Sequence, residues 1–110
     1  MDLNAFRDSL AGAAPPQGLS PALNALWYDA RNNWQRAHAI VQDEDDTDNA
    51  WIHAYLHRKE GDSANAGYWY RRAGKPVCKA SLDEEWAQLA ADLLARAQGS
   101  RSSGSSTSLK

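Results

Sequence analysis

With 110 residues, 43% hydrophobic and 24% charged, the chain has the size and balance of one globular domain and no room for a second core. A net charge of -2 lacks the basic footprint of a protein that lives on nucleic acid. No stretch reaches the length of a membrane span. Met1 to Leu10 carry Asp2 and Asp8 and lack the apolar run of a signal peptide. The lone Cys78 permits neither an internal disulfide nor a cysteine-based zinc knuckle. The expectation is therefore a soluble, cytoplasmic protein with nucleic acid disfavoured as a partner. Five Trp and four Tyr against one Phe is an unusual aromatic set, because each of those rings carries a polar tip that needs a partner.

Residues 2–11 read as a short amphipathic helix, with Asp2 as cap and Leu3, Phe6 and Leu10 on one side. Ala11 to Leu19, with Gly12, Pro15, Pro16 and Gly18, has the composition of a linker. Ser20-Pro21 then supplies a cap followed by proline at the first helical position, where its missing N–H costs nothing. Leu23, Leu26, Trp27 and Ala30 give the i, i+3, i+4, i+7 stripe of a packed helix, which Asn32-Asn33 ends. Trp34, Ala37, His38 and Val41 repeat that spacing.

The acidic run Asp43, Glu44, Asp45, Asp46 and Asp48 precedes a helix that the pattern starts near Asp48. Carboxylates there favour the positive end of a helix. A calcium loop is excluded, since the run lacks a glycine at its sixth position and a closing Glu at its twelfth. Trp51, Ile52, Tyr55 and Leu56 form the apolar arc of helix 49–60. Gly61-Asp62 turns the chain into helix 63–73, with Ala66, Trp69, Tyr70 and Ala73 on one face, and Gly74 and Pro76 end it. Ser81-Leu82-Asp83-Glu84 is a capping box that opens a last helix bearing Leu82, Trp86, Leu89 and Leu93. No segment alternates with period two for long enough to be a strand. The fold expected is all-α, an irregular helical-hairpin array of five or six helices. It divides into a short helix and Pro/Gly linker over 1–19, the hairpin domain over 20–97, and a Ser/Gly-rich disordered tail over 98–110.

Ala25-Leu26, Asn32-Asn33 and Ala37 stand 29 residues before Ala54-Tyr55, Gly61-Asp62 and Ala66, so helix, tight turn and helix occur twice. The second copy resembles a tetratricopeptide hairpin: Gly61-Asp62 at the turn, then Ala66, Tyr70 and Ala73 where that motif places small, large and small residues. Small residues belong there because two helices cross closely only where little side chain intervenes. The stretch Ala50-Trp51-Ile52-His53-Ala54-Tyr55-Leu56-His57-Arg58-Lys59-Glu60-Gly61-Asp62, continued by Tyr68-Trp69-Tyr70-Arg71-Arg72-Ala73-Gly74, also resembles a family of short uncharacterised bacterial helical proteins. That resemblance implies a fold and transfers no catalytic residues.

Two constellations bear chemistry. His53, His57 and Glu60 fall at i, i+4 and i+7 of one helix, a two- or three-ligand start on a zinc or iron site. In a hairpin closed by residues 43–48, residues across from each other have numbers summing to about 90, which sets His38 level with His53. Convergence requires the helix to be sandwiched, since its apolar arc points away from the histidines. Solvated histidines and a hydrogen-bonded core His38 explain the same spacing.

The second constellation is Tyr68, Arg71, Arg72, Lys75 and Lys79, an exposed aromatic–basic face able to take carboxylates or phosphates. Positive residues at a helix C-terminus also complement its negative end, whether or not anything binds. The five tryptophans fall on buried stripes and read as core. Cys78, in a loop beside Lys79, has no further sign of being a nucleophile. The expected function is a small binding module for a protein partner or a small acidic ligand, through Tyr68, Arg71, Arg72 and Lys75. The alternative is a metal-dependent site on His38, His53, His57 and Glu60.

Overall fold

A computed structural model describes residues 1–108, with side chains described for 1–97. The tail 98–110, expected to be disordered, lies outside the residues described with their side chains. Among the described residues six helices follow one another: α1 (Leu3–Ser9), α2 (Pro21–Ala30), α3 (Trp34–Gln42), α4 (Thr47–Glu60), α5 (Ser63–Ala73) and α6 (Leu82–Ser108). No strand occurs among the described residues, and the fold is all-α, as the periodicities require. No helix among them is long and apolar enough to cross a membrane.

The local signals act where the sequence puts them. Asp2 accepts from the Ala5 amide, Ser20 from Leu23, Asn33 from Arg36 and Asp62 from Asn65, so each helix start has an acceptor for an otherwise orphaned N–H. The Ser81/Glu84 box is reciprocal, with both bonds at 3.1 Å. Gly61, at φ 91°, closes α4 in the left-handed conformation that glycine adopts without penalty. α4 itself starts earlier than the pattern near Asp48 implies. Asp46 is the cap, taking the Asn49 amide at 2.8 Å, and Thr47 and Asp48 form the first turn.

α2 with α3, and α4 with α5, are helical hairpins. α4 is the central element, in contact with α2, α3, α5 and α6. From Asn49 through His57 every residue of it is buried, nine in succession. A helix buried all round cannot be amphipathic, which is why its polar residues must find partners inside the protein. α1 joins the same core: Phe6 is fully buried and stacks on Trp86 at 5.7 Å. Tryptophan tips fasten the layers together, with Trp27 Nε1 donating to Ser9 Oγ at 3.1 Å and Trp86 Nε1 to the Leu26 carbonyl at 3.0 Å.

Two carboxylates are buried and both are met. Asp29 accepts from Tyr55 Oη and Lys59 Nζ, each at 2.9 Å. Glu85 accepts from Arg58 Nη1 at 2.7 Å and from Tyr70 Oη. Burial and the neighbouring carboxylate together push the Tyr55 and Tyr70 hydroxyls far above the ordinary tyrosine range, so both stay protonated donors.

Ala66 and Ala73 are buried on α5, which packs against α4. Ala66→Leu adds volume at one of these buried positions. It should cost ~1–3 kcal/mol, read as a lower midpoint in urea unfolding. An unchanged midpoint would show that the position has room to spare.

Candidate metal centre

His38 projects from α3, and His53 and His57 from successive turns of α4. α3 and α5 both pack against α4, and both reach its histidine side, α3 with Trp34 and His38 and α5 with Trp69. The structure brings all three histidines together: one ring nitrogen of each lies within 4.8 Å of the others. His38 Nε2 and His53 Nε2 are 3.0 Å apart. The rings of His53 and His57 stack at 4.8 Å, and His38 stands edge-on to both. His53 and His57 are buried, and His38 is half-buried.

Glu60 takes a different place from the ligand position the helical spacing offers it. Its carboxylate accepts a hydrogen bond from His57 Nδ1 at 2.7 Å. An acceptor on Nδ1 puts the ring proton there and leaves the Nε2 lone pair free for the cluster. This is the arrangement in which a carboxylate behind an imidazole fixes the tautomer of a metal ligand. His57, Glu60 and Asp62 also fall within 4.8 Å of one another. The Asp62 oxygens, however, accept from the Asn65 amide at 3.2 Å and Asn65 Nδ2 at 2.8 Å, capping α5.

The walls are aromatic. Trp34, one turn before His38, stacks on that ring at 4.8 Å with 8° between the planes. Its indole N–H donates to the Leu56 carbonyl at 2.9 Å and so ties α3 to α4 at the site. Trp69 of α5 stacks on His53 at 4.0 Å, and Arg72 lies over the same indole at 5.4 Å. Reading all five tryptophans as core misses this. Trp27, Trp51 and Trp86 are core, whereas Trp34 and Trp69 are half-buried flanks of the cluster. The i, i+4 relation of Trp34 to His38 carried the signal. So did hairpin register, since numbers across the Gly61-Asp62 turn sum to about 123, which sets Trp69 beside His53.

The aromatic–basic face is divided among separate neighbours. Arg72 pairs with Asp45 at 3.1 Å and with Tyr68 Oη at 3.1 Å. Lys75 Nζ sits 4.3 Å above the Trp51 ring and, with Lys79 and Cys78, lines a cleft of about 530 Å³. Arg71 lies back toward Gly67. The three histidines meet at one point, and the five residues of the basic face do not.

No protein-family model, curated protein or solved structure matches the chain.

Burial, then the neighbouring His38 and His57, push His53 down to about 4 from the ordinary 6.5. Burial and His57 also lower His38, with Glu60 opposing. Both rings are held neutral, the state a metal requires. Between about 4 and 6.5 the unfolded chain carries more protons at His53 than the folded chain does. Stability is therefore full above that window and is lost as the pH falls through it. In protein stripped with a chelator, the urea midpoint should drop between about pH 7.5 and about pH 5, and His53→Gln should reduce that drop. Equal midpoints at the two pH values would show that His53 is not shielded.

Proposed function

We propose that this protein binds a divalent transition-metal ion, zinc foremost, through Nε2 of His38, His53 and His57. The convergence of three imidazoles from two helices on one point carries the reading. Two nitrogens each about 2.0–2.1 Å from a tetrahedral zinc lie about 3.3–3.4 Å apart. The 3.0 Å between His38 and His53 is within a few tenths of that spacing. A metal there would take the Nε2 lone pair of each ring, and the ring protons of His38 and His53 would then sit on Nδ1.

An all-imidazole set suits zinc, copper or nickel. Iron of the two-histidine, one-carboxylate kind is less well served, because the near carboxylate, Glu60, is engaged at the far nitrogen of His57. The helical hairpins, of tetratricopeptide-like form, act in this reading as a frame that delivers His38 to the α4 histidines. The alternative, a protein partner or small acidic ligand on Tyr68, Arg71, Arg72 and Lys75, is supported by the exposure of Tyr68 and by the positive charge around it.

Zinc stabilises only the folded state that gathers the three rings. At a free concentration a hundredfold above Kd it contributes about 2.7 kcal/mol, on the order of 10 °C in Tm for a chain of this size. His38→Ala, His53→Ala and His57→Ala should each abolish that shift in tag-free protein. Glu60→Gln should keep binding but weaken it roughly 10–100-fold, as loss of an orienting carboxylate does. A Tm indifferent to zinc, copper and nickel would defeat the proposal.

A further inference from the structure

The three-histidine arrangement has a geometric remainder. Among the described residues the cluster offers three nitrogen donors, whereas zinc or cobalt takes four ligands or more. The nearest carboxylate does not fill the gap. Glu60 is bonded to Nδ1 of His57, and the Nδ1 and Nε2 lone-pair directions diverge widely around an imidazole ring. A metal at Nε2 and a carboxylate at Nδ1 therefore lie on opposite sides of His57, and Glu60 cannot reach the ion without releasing the ring it orients. Asp62 is spent on Asn65.

Charge points the same way. Three neutral imidazoles leave the full double positive charge on the ion, inside walls formed by the Trp34 and Trp69 indoles. A dication in such surroundings favours an anionic fourth ligand over a neutral one, since indole faces do not solvate it as water does. The approach is on the His38 side, because His38 is half-buried while His53 and His57 are buried.

Resting on the metal-site reading above, we infer that the bound ion keeps a fourth position open to small exogenous anions. Hydroxide, azide or the carboxylate of a small acid has the right chemistry: one anionic donor atom and little bulk. The site is in that respect like three-histidine centres that retain an exchangeable ligand, rather than four-residue centres that are closed.

Cobalt(II) makes the position visible, because its visible absorption bands report the number and type of ligands. Tag-free protein is loaded with one equivalent of cobalt chloride and titrated with sodium azide, and Glu60→Gln is treated in parallel. The expected result is a saturable band shift at one azide per cobalt in both proteins. Bands that azide does not move in the wild type, but does move in Glu60→Gln, would identify Glu60 as the fourth ligand and overturn the open position. Bands unmoved in both proteins would overturn it equally, in favour of a chain-derived fourth ligand elsewhere. Absence of cobalt binding, with zinc also failing to raise Tm, defeats the metal reading itself, so the two failures are told apart.

Discussion

The structure is organised around one helix whose nine central residues are all buried. From Asn49 to His57, α4 presents no face to solvent, so its polar side chains draw on neighbouring elements and on its own ends, Glu60 for His57 and Asp46 for Asn49 Nδ2. α2 supplies Asp29 for Tyr55 and Lys59, α6 supplies Glu85 for Arg58, and α3 supplies His38 for His53. The hydrophobic residues of α4 fill the core, while its polar residues choose which neighbours are admitted and at what height.

The two carboxylate clusters and the histidine cluster follow different logic. Asp29 and Glu85 are each surrounded by donors, and such networks hold a packing arrangement in place when every member is satisfied. The histidines are different, because three acceptor-capable rings are placed where their lone pairs face one another. Burial makes charge costly there, so protonation cannot relieve the crowding as it would on a surface. The His38–His53 contact and the His57–Glu60 bond relieve it in part, and a cation would satisfy all three rings at once.

Much of this was legible in the residues. Caps at Asp2, Ser20 and Ser81, and the turn residues Asn33 and Asp62, set the helix boundaries directly, because each acts through a bond to an amide within three residues. The start of α4 was placed about a residue late, because five acidic residues in close succession each look like a cap, and Asp46 is the one that takes the Asn49 amide. The histidine pair followed from helical spacing, and His38 from hairpin register. The role of Glu60 did not follow. Spacing puts it near His57 but cannot say which ring nitrogen it meets, and that choice separates a ligand from an orienting partner. The site's aromatic walls were also lost, since a tryptophan on an apolar stripe looks alike whether it packs on leucine or on imidazole. The basic face was legible as composition only, because the long side chains of Arg72 and Lys75 reach rings and carboxylates on other segments.

Trp34 and Trp69 have one more consequence. Each lies flat against an imidazole of the cluster, at 4.8 and 4.0 Å, while Trp27 and Trp86 are anchored elsewhere in the core. Indole emission is quenched through close contact with electron-accepting or paramagnetic neighbours. Were the histidines to take up a metal, Trp34 and Trp69 would be the indoles placed to report it, and Trp27 and Trp86, bonded elsewhere, the ones to compare them with.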